Sequence, residues 1–116
     1  MGDRPYVTKD SGKRVDFPSG MRRDVDDGKP RYDLIEPEML KRWAALMGRG
    51  AVKYGENNWT KADSEEELTR FRASAARHFH QWLAGDTDED HAAAVMFNLA
   101  AADFVVRKTG GQTAGR

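Results

Sequence analysis

The chain has 116 residues and carries nineteen basic and nineteen acidic side chains, so its formal net charge is zero. That balance argues against a protein that coats nucleic acid or an anionic membrane, and we expect no direct nucleic-acid binding. The absence of cysteine excludes disulfides, zinc–thiolate sites and thiol chemistry, and the lack of a signal peptide or a membrane-length apolar run predicts a soluble, cytoplasmic protein.

The length and the residue pattern predict one small domain. We expect residues 19–108 to fold, as an arm over 19–36 and helices over 37–108, between a disordered tail at 1–18 and a flexible tail at 109–116. A core of that size is marginal. With 33% of the residues charged and 39% hydrophobic, the composition suits a helical domain with a polar arm better than an all-β core. The prediction is therefore an all-α fold, a small bundle of three main helices with an irregular N-terminal arm, completed by homo-oligomerisation.

The N-terminal arm is rich in proline, glycine and charged side chains of both signs. It shows no apolar period, so no regular structure is expected over residues 1–33. Lys29 and Arg31 lie beside turn-forming residues in its later part. They could fold over a polyanionic ligand, or the arm could be a solvated tail, which composition alone favours.

The first predicted helix begins at Pro37, whose missing N–H would be unpaired in a first turn, and ends at Gly55 as a left-handed cap. Gly48 and Gly50 weaken it by up to about 1 kcal/mol each relative to alanine, so either another backbone packs closely there or the helix is locally irregular. Apolar residues at three-and-four spacing predict one buried face, made of Leu40, Trp43, Ala44, Met47, Ala51 and Tyr54.

After a loop at 56–61, the capping-box spacing of Ser64 and Glu67 predicts a second helix that runs to about Ala84 and is stopped by Gly85. His78 falls on the same broad face as the apolar residues. The side chains predicted to point inward are those of Leu68, Phe71, Ala75, Phe79 and Trp82.

The third predicted helix is capped by Asp86 or Asp88 and runs to about Lys108. It is almost wholly apolar, which predicts that it is the central and most enclosed helix. Asn98 and Asp103 are its two polar interruptions. A buried polar group needs partners, so each is either satisfied by a neighbour or belongs to a site.

The turn between the second and third predicted helices concentrates possible metal ligands. His78 and His91 flank four carboxylates, those of Asp86, Asp88, Glu89 and Asp90. Carboxylate oxygens suit Mg²⁺ and Mn²⁺, and a histidine shifts the preference toward Mn²⁺ or other transition metals. Acidic residues at a helix N-terminus and a histidine at a helix C-terminus also stabilise helices without a metal, so both interpretations stay open.

A second group of candidate residues lies at the end of the first predicted helix. Lys53 could meet a phosphate, Asn58 could read a base edge and Trp59 could stack on a purine. Equally, Trp59 could plug the core at a helix–loop junction. Arg77 is a further candidate phosphate contact, or one half of a surface ion pair.

Many of these positions occur together in a known family. In order and spacing the sequence resembles the small dATP/dGTP diphosphohydrolases found largely in bacteriophages, which are similar to MazG-like all-α nucleoside triphosphate pyrophosphohydrolases. The match covers about 19–104, with Lys-Tyr-Gly-x-x-Asn-Trp and Arg-His-x-x-x-Trp as its most specific pair of elements. The matching positions are Ser19-Gly20, Arg23-Asp24, Gly28-Lys29, Arg31, Asp33-Leu34, Gly50-Ala51, Lys53-Tyr54-Gly55, Asn58-Trp59, Arg77-His78, Trp82, Gly85-Asp86, His91 and Asn98.

This resemblance implies an oligomeric helical subunit that splits purine deoxynucleoside triphosphates, dATP or dGTP, into monophosphate and pyrophosphate with Mg²⁺ or Mn²⁺, in the host cytoplasm if the chain is phage-encoded. It makes the arm part of the site. The metal ligands it implies are His78, Asp86, Asp88, Glu89 and His91, with Asp88 and Glu89 catalytic. The nucleotide-binding residues it implies are Lys29, Arg31, Lys53, Asn58, Trp59, Arg77 and Asn98, the last also orienting a metal ligand.

Two other functions stay open. The wider MazG-like group carries two adjacent glutamates with a third three residues on, whereas here Glu65-Glu66 is followed by Thr69 at that offset. The turn at 86–91 also looks shorter than in closer relatives. A nucleotide-binding or sequestering protein without catalysis is therefore one alternative, and a helical module that binds another protein is the other.

Overall fold

The computed structural model describes residues 6–110, which fall into two units that meet in the sequence at Ile35 and Glu36. The first unit holds two strands, β1 (Arg14–Asp16) and β2 (Arg22–Asp24), and a 3₁₀ turn at Tyr32–Leu34. The second holds three helices with a 3₁₀ turn between the first two. Their bounds are α1 (Pro37–Tyr54), the 3₁₀ turn (Asn58–Lys61), α2 (Glu65–Leu83) and α3 (His91–Lys108).

The predicted all-α class with three main helices is confirmed. The two tails expected at 1–18 and 109–116 lie partly outside the described residues, at 1–5 and 111–116. Among residues 6–110, no helix is both long enough and apolar enough to cross a bilayer.

The expected lack of regular structure over residues 1–33 is wrong, because β1, in the segment predicted to be a disordered tail, and β2, in the arm, form an antiparallel hairpin. Its register sets opposite charges against each other, Arg14 facing Asp24 and Asp16 facing Arg22. The Arg22 Nε lies 2.7 Å from Asp16 Oδ1. Cross-strand charge pairs stabilise a ribbon without any apolar period, so an apolar pattern was the wrong signal for this segment.

The helix ends follow from local sequence. Pro37 begins α1, and the Ser64–Glu67 capping box at the start of α2 is complete. Gly55 ends α1 with φ 92° and ψ 153°, a conformation open to glycine but outside the left-handed helical region that was predicted. Asp90 caps α3, in place of the predicted Asp86 or Asp88.

The core lies where the N-terminal half of α2 meets the C-terminal half of α3. Leu68 and Val105 are fully buried there, and Phe71 packs against them. As predicted, α3 is the most enclosed helix, and it contacts both α1 and α2. Towards the other end of the α2–α3 pair the buried side chains become small or polar, and they comprise Ala75, Ala93, Ala94, Ala101, His78, His91 and Asn98.

Two predicted buried faces are only partly buried. No residue of α1 is buried, and Leu40 and Tyr54 are exposed. On α2, Phe79 and Trp82 are exposed because neither α1 nor α3 covers these side chains. Gly48 does not mark a close approach either, since a Cβ built there would meet no described atom within 4 Å, and the same holds for Gly50.

Candidate functional site

The turn between α2 and α3 brings acidic side chains close to a buried histidine. Gly85 adopts φ 84° directly after α2, which allows the chain to reverse within a few residues. The Asp86 N–H then donates to the Gln81 carbonyl at 3.0 Å. Asp90 ends the turn by accepting a hydrogen bond from the Ala93 N–H at 3.1 Å, so α3 begins at His91.

Asp86, Asp88 and His91 form a group of potential metal ligands. One ligand atom from each lies within 4.8 Å of the others. His91 Nε2 is 2.8 Å from Asp88 Oδ1, and its side chain is fully buried whereas Asp88 is mostly exposed. The hydrogen bond from His91 lowers the pKa of Asp88, so this carboxylate stays ionised. One imidazole nitrogen with carboxylate oxygens is a donor set that fits Mn²⁺ or Mg²⁺.

His78 lies on the opposite side of the His91 ring from Asp88. The two Nδ1 atoms are 2.8 Å apart, and both rings are buried. Burial lowers the pKa of His78, so this ring stays neutral at physiological pH. Because Nδ1 of His91 faces His78 and Nε2 faces Asp88, His78 fixes the ring that presents a nitrogen to the acidic group. The predicted ligand His78 is therefore not in the Asp86, Asp88 and His91 group.

The other two carboxylates of the turn differ from each other. Asp90 is held by Arg42, whose guanidinium Nε and Nη2 lie 2.8 and 2.7 Å from its two oxygens. That pairing lowers the pKa of Asp90 to about 2. Glu89 lies outside the group of potential ligands. Asp90 thus stabilises the turn through its ion pair and its helix cap.

An aromatic cavity of about 440 Å³ opens between α1, the 3₁₀ turn and α3. Trp59 lines it, with its ring edge-on to Phe97 and Phe104 at centroid distances of 5.9 and 5.1 Å. Trp59 therefore packs on α3, as one interpretation predicted, and it also borders a cavity, which leaves stacking on a purine as a prediction. The lining residues are Leu46, Met47, Arg49, Gly50, Ala51, Lys53, Tyr54, Gly55, Asn57, Asn58, Trp59, Phe71 and Phe97.

A second, acidic cavity of about 620 Å³ lies between α1 and the turn that precedes α3. Its lining residues are Arg42, Ala45, Leu46, Arg49, Thr87, Asp88, Glu89 and Asp90. Leu46 and Arg49 line both cavities, so the two are neighbours along one side of α1. A ligand with a flat ring at one end and phosphates at the other could occupy both.

Of the predicted nucleotide-binding residues, Lys53, Asn58 and Trp59 come together at the aromatic cavity. Arg77 is exposed on α2 and lines neither cavity. Asn98 is buried, and its amide donates to the Ala94 carbonyl in its own helix at 2.8 Å, so α3 itself supplies this partner.

Two further predicted residues lie in the N-terminal unit. Lys29 pairs with Asp26 at 4.0 Å, and Arg31 pairs with Asp33 at 2.8 Å. All four side chains are at least half exposed, so these are weak surface pairs. Both cations are accessible to a ligand.

Arg42 and Arg49 are the site residues that the sequence reasoning missed. They are seven residues apart and therefore share one face of α1, which was a usable signal. Nothing in the sequence linked that face to Asp90, which lies 48 residues after Arg42. The link is tertiary, made by the packing of α1 on α3.

The comparisons with known proteins gave one finding. A family model described as dATP/dGTP diphosphohydrolase, N-terminal, matches residues 19–114, a range that includes β2 and all three helices. No curated protein and no solved structure matches the chain.

Proposed function

Because the chain belongs to the dATP/dGTP diphosphohydrolase N-terminal family, we propose that it hydrolyses a purine deoxynucleoside triphosphate to the monophosphate and pyrophosphate. Water is the nucleophile, and the bond between the α- and β-phosphates breaks. The proton lost by water is taken up by a carboxylate or by solvent.

The observation that carries this proposal is the pair of adjoining cavities along α1. The aromatic one is lined by Trp59, Tyr54 and Phe97, side chains that suit a flat base. The acidic one is lined by Asp88 and Glu89 and suits a cation with its phosphates. Since the two share lining residues, one nucleotide can extend from the first into the second.

The acidic group would hold the divalent ion, with Mn²⁺ or Mg²⁺ as the candidates. Asp86, Asp88 and His91 are the proposed ligands, and His78 orients the His91 ring. When bound, such an ion would supply Lewis-acid polarisation of the phosphate oxygens. Glu89 lines the acidic cavity together with Asp88 but lies outside the ligand group, so its carboxylate is the proposed acceptor of the proton from water.

The remaining contacts follow the chemistry of each side chain. Asn58 and Trp59 would hold the base, and Lys53, at the rim of the same cavity, would meet a phosphate. Lys29, Arg31 and Arg77 are proposed as further phosphate contacts, and Asn98 as a buried support of α3. We propose that subunits associate through apolar surface that a single chain leaves exposed.

Incubation of the protein with dGTP or dATP and Mn²⁺, followed by chromatography, tests the proposed reaction. We expect monophosphate and pyrophosphate in equal amounts, and no product in EDTA. Asp88→Asn keeps the size of the side chain but removes a charge, so it should reduce turnover by at least about 100-fold. Asp103→Asn, an exposed acid on α3 away from both cavities, is the matched control.

Three results separate the possible functions. Diphosphate with inorganic phosphate as products would mean that a different bond is cleaved. Tight nucleotide binding with no product above a blank would mean that the protein sequesters a nucleotide and is not an enzyme. If the protein neither binds nor hydrolyses a nucleotide, the remaining candidate function is that of a helical module that binds another protein.

A further inference from the structure

Among the described residues, Arg49 is the charged side chain that lines both cavities. It lies in the C-terminal half of α1 and lines both the aromatic and the acidic cavity. Leu46, the other shared lining residue, is apolar and offers no group to an anion. Of the two shared residues, only Arg49 can therefore bind an anionic ligand that extends from one cavity into the other.

The neighbouring arginine on the same face is already occupied. Arg42 forms a two-point ion pair with Asp90 at 2.7 and 2.8 Å. Within residues 6–110, by contrast, the Arg49 guanidinium forms no hydrogen bond or ion pair and acts on Asp90 only through its charge, and its side chain is exposed. Arg42 holds the turn in place, which leaves Arg49 as the cation with donors to spare.

The charged side chains near Arg49 also favour a role in binding an anion. Asp88 and Glu89 line the acidic cavity, and a polyanion entering it would be repelled without a compensating positive charge. A guanidinium offers a planar fork of donors that matches two phosphate oxygens at once. A neutral nucleoside lacks these charged oxygens.

We infer that Arg49 binds the phosphate chain of the nucleotide where it leaves the aromatic cavity. This inference rests on the proposed function for the identity of the ligand. Arg49 would make the affinity for the ligand depend on its phosphates. It would also fix the orientation of the ligand, with the base toward Trp59 and the phosphates toward Asp88.

Calorimetry with two ligands tests the role of Arg49. The first is a dGTP analogue with a methylene bridge between the α- and β-phosphates, which cannot be hydrolysed there, and the second is neutral deoxyguanosine. Arg49→Ala should weaken binding of the analogue by about 10- to 100-fold. Its binding of deoxyguanosine should be unchanged. Arg49→Lys keeps the charge without the fork and should recover part of the loss.

Lys41→Ala is the matched control, since it removes one exposed positive charge from the same helix outside both cavities. It should leave both affinities unchanged. Affinity for Mn²⁺ without nucleotide provides a second readout. Removing the Arg49 charge should leave that affinity equal or tighter, whereas a collapsed site would weaken it.

Equal affinity of wild type and Arg49→Ala for the analogue would overturn the inference. An equal loss for the analogue and for deoxyguanosine would also overturn it, because Arg49 would then contact the base or shape the cavity instead of binding the phosphates. If the Arg49 effect appears but dGTP is never hydrolysed, the inference stands and the proposed reaction falls. If the wild type binds neither ligand, both fall.

Discussion

The contact between His78 and His91 decides how a metal ligand would be presented. One of the two Nδ1 atoms must donate and the other accept, because they lie 2.8 Å apart. If His91 Nε2 binds a metal, His91 must carry its proton on Nδ1 and donate it to His78. His78 therefore acts on the metal through His91, as hydrogen-bonding partners of metal-bound histidines commonly do.

We expect His78→Ala to weaken Mn²⁺ binding by about 10- to 100-fold, since the His91 ring loses the partner that orients it. His78→Asn keeps a short acceptor near the lost nitrogen and should recover part of the affinity. Electron paramagnetic resonance of free Mn²⁺ measures the change, with His80→Ala, an exposed histidine on the same helix, as control. Wild-type affinity in His78→Ala would refute the orienting role.

Asp90 combines a helix cap with an ion pair. Its carboxylate accepts from the Ala93 N–H and from both donors of Arg42. We expect Asp90→Ala to lower the free energy of unfolding by about 2 kcal/mol, roughly half from each role. Asp90→Asn, which can still cap α3, should lose only the ion-pair part. Urea unfolding measures both, and Asp103→Ala, from an exposed pair with Arg107, should change stability by less than about 0.5 kcal/mol.

The same ion pair makes stability depend on pH. Arg42 lowers the pKa of Asp90 from its usual 3.8 to about 2 in the folded protein, so the unfolded chain binds a proton first as pH falls. The stabilisation is complete above about pH 5 and is lost as pH falls toward about 2. Unfolding free energies of wild type and Asp90→Asn, measured without metal, should therefore converge over that range. A constant difference would show that the pair is not formed.

At the scale of elements, most helix ends could be predicted, whereas helix faces could be predicted only in part. Pro37, the Ser64–Glu67 box and Gly85 act within a few residues of their own position, so the sequence contains all the required information. Whether Tyr54 or Trp82 is covered depends on which element packs there. The same reason applies to the candidate site. Asp88 and His91 are close in sequence and could be paired as candidates, whereas Arg49 reaches the acidic turn only through tertiary packing and was missed.

The capping box gives an element-scale test. The Ser64 hydroxyl accepts from the Glu67 N–H at 3.2 Å, and Glu67 Oε1 accepts from the backbone N–H groups of Asp63 and Ser64 at 2.9 and 3.1 Å. Ser64→Ala should cost about 1 kcal/mol of unfolding free energy by chemical denaturation. Ser74→Ala, in the middle of α2, should cost less, and an equal cost would contradict the capping role.

At the scale of the whole molecule, the described chain leaves much apolar surface in contact with solvent. Leu68 and Ala75 are buried, and Trp82, seven residues further along the same face of α2, is 53% exposed. A face that is buried at Leu68 and Ala75 and then left open at Trp82 suggests that another subunit completes it. Exposed apolar residues near that end of the helix pair include Phe79, Leu83, Met96 and Leu99.

We expect the wild-type protein to sediment as an oligomer in analytical ultracentrifugation, because the hydrophobic effect favours burying this surface. Trp82→Glu places a charge in the contact and should shift the protein toward monomer, with a lower melting temperature since α2 and α3 lose their cover. Ala73→Glu, on the opposite face of α2, should leave the oligomer intact. A wild type that stays monomeric at its highest soluble concentration, or a Trp82→Glu variant that sediments like the wild type, would exclude this surface as the subunit contact.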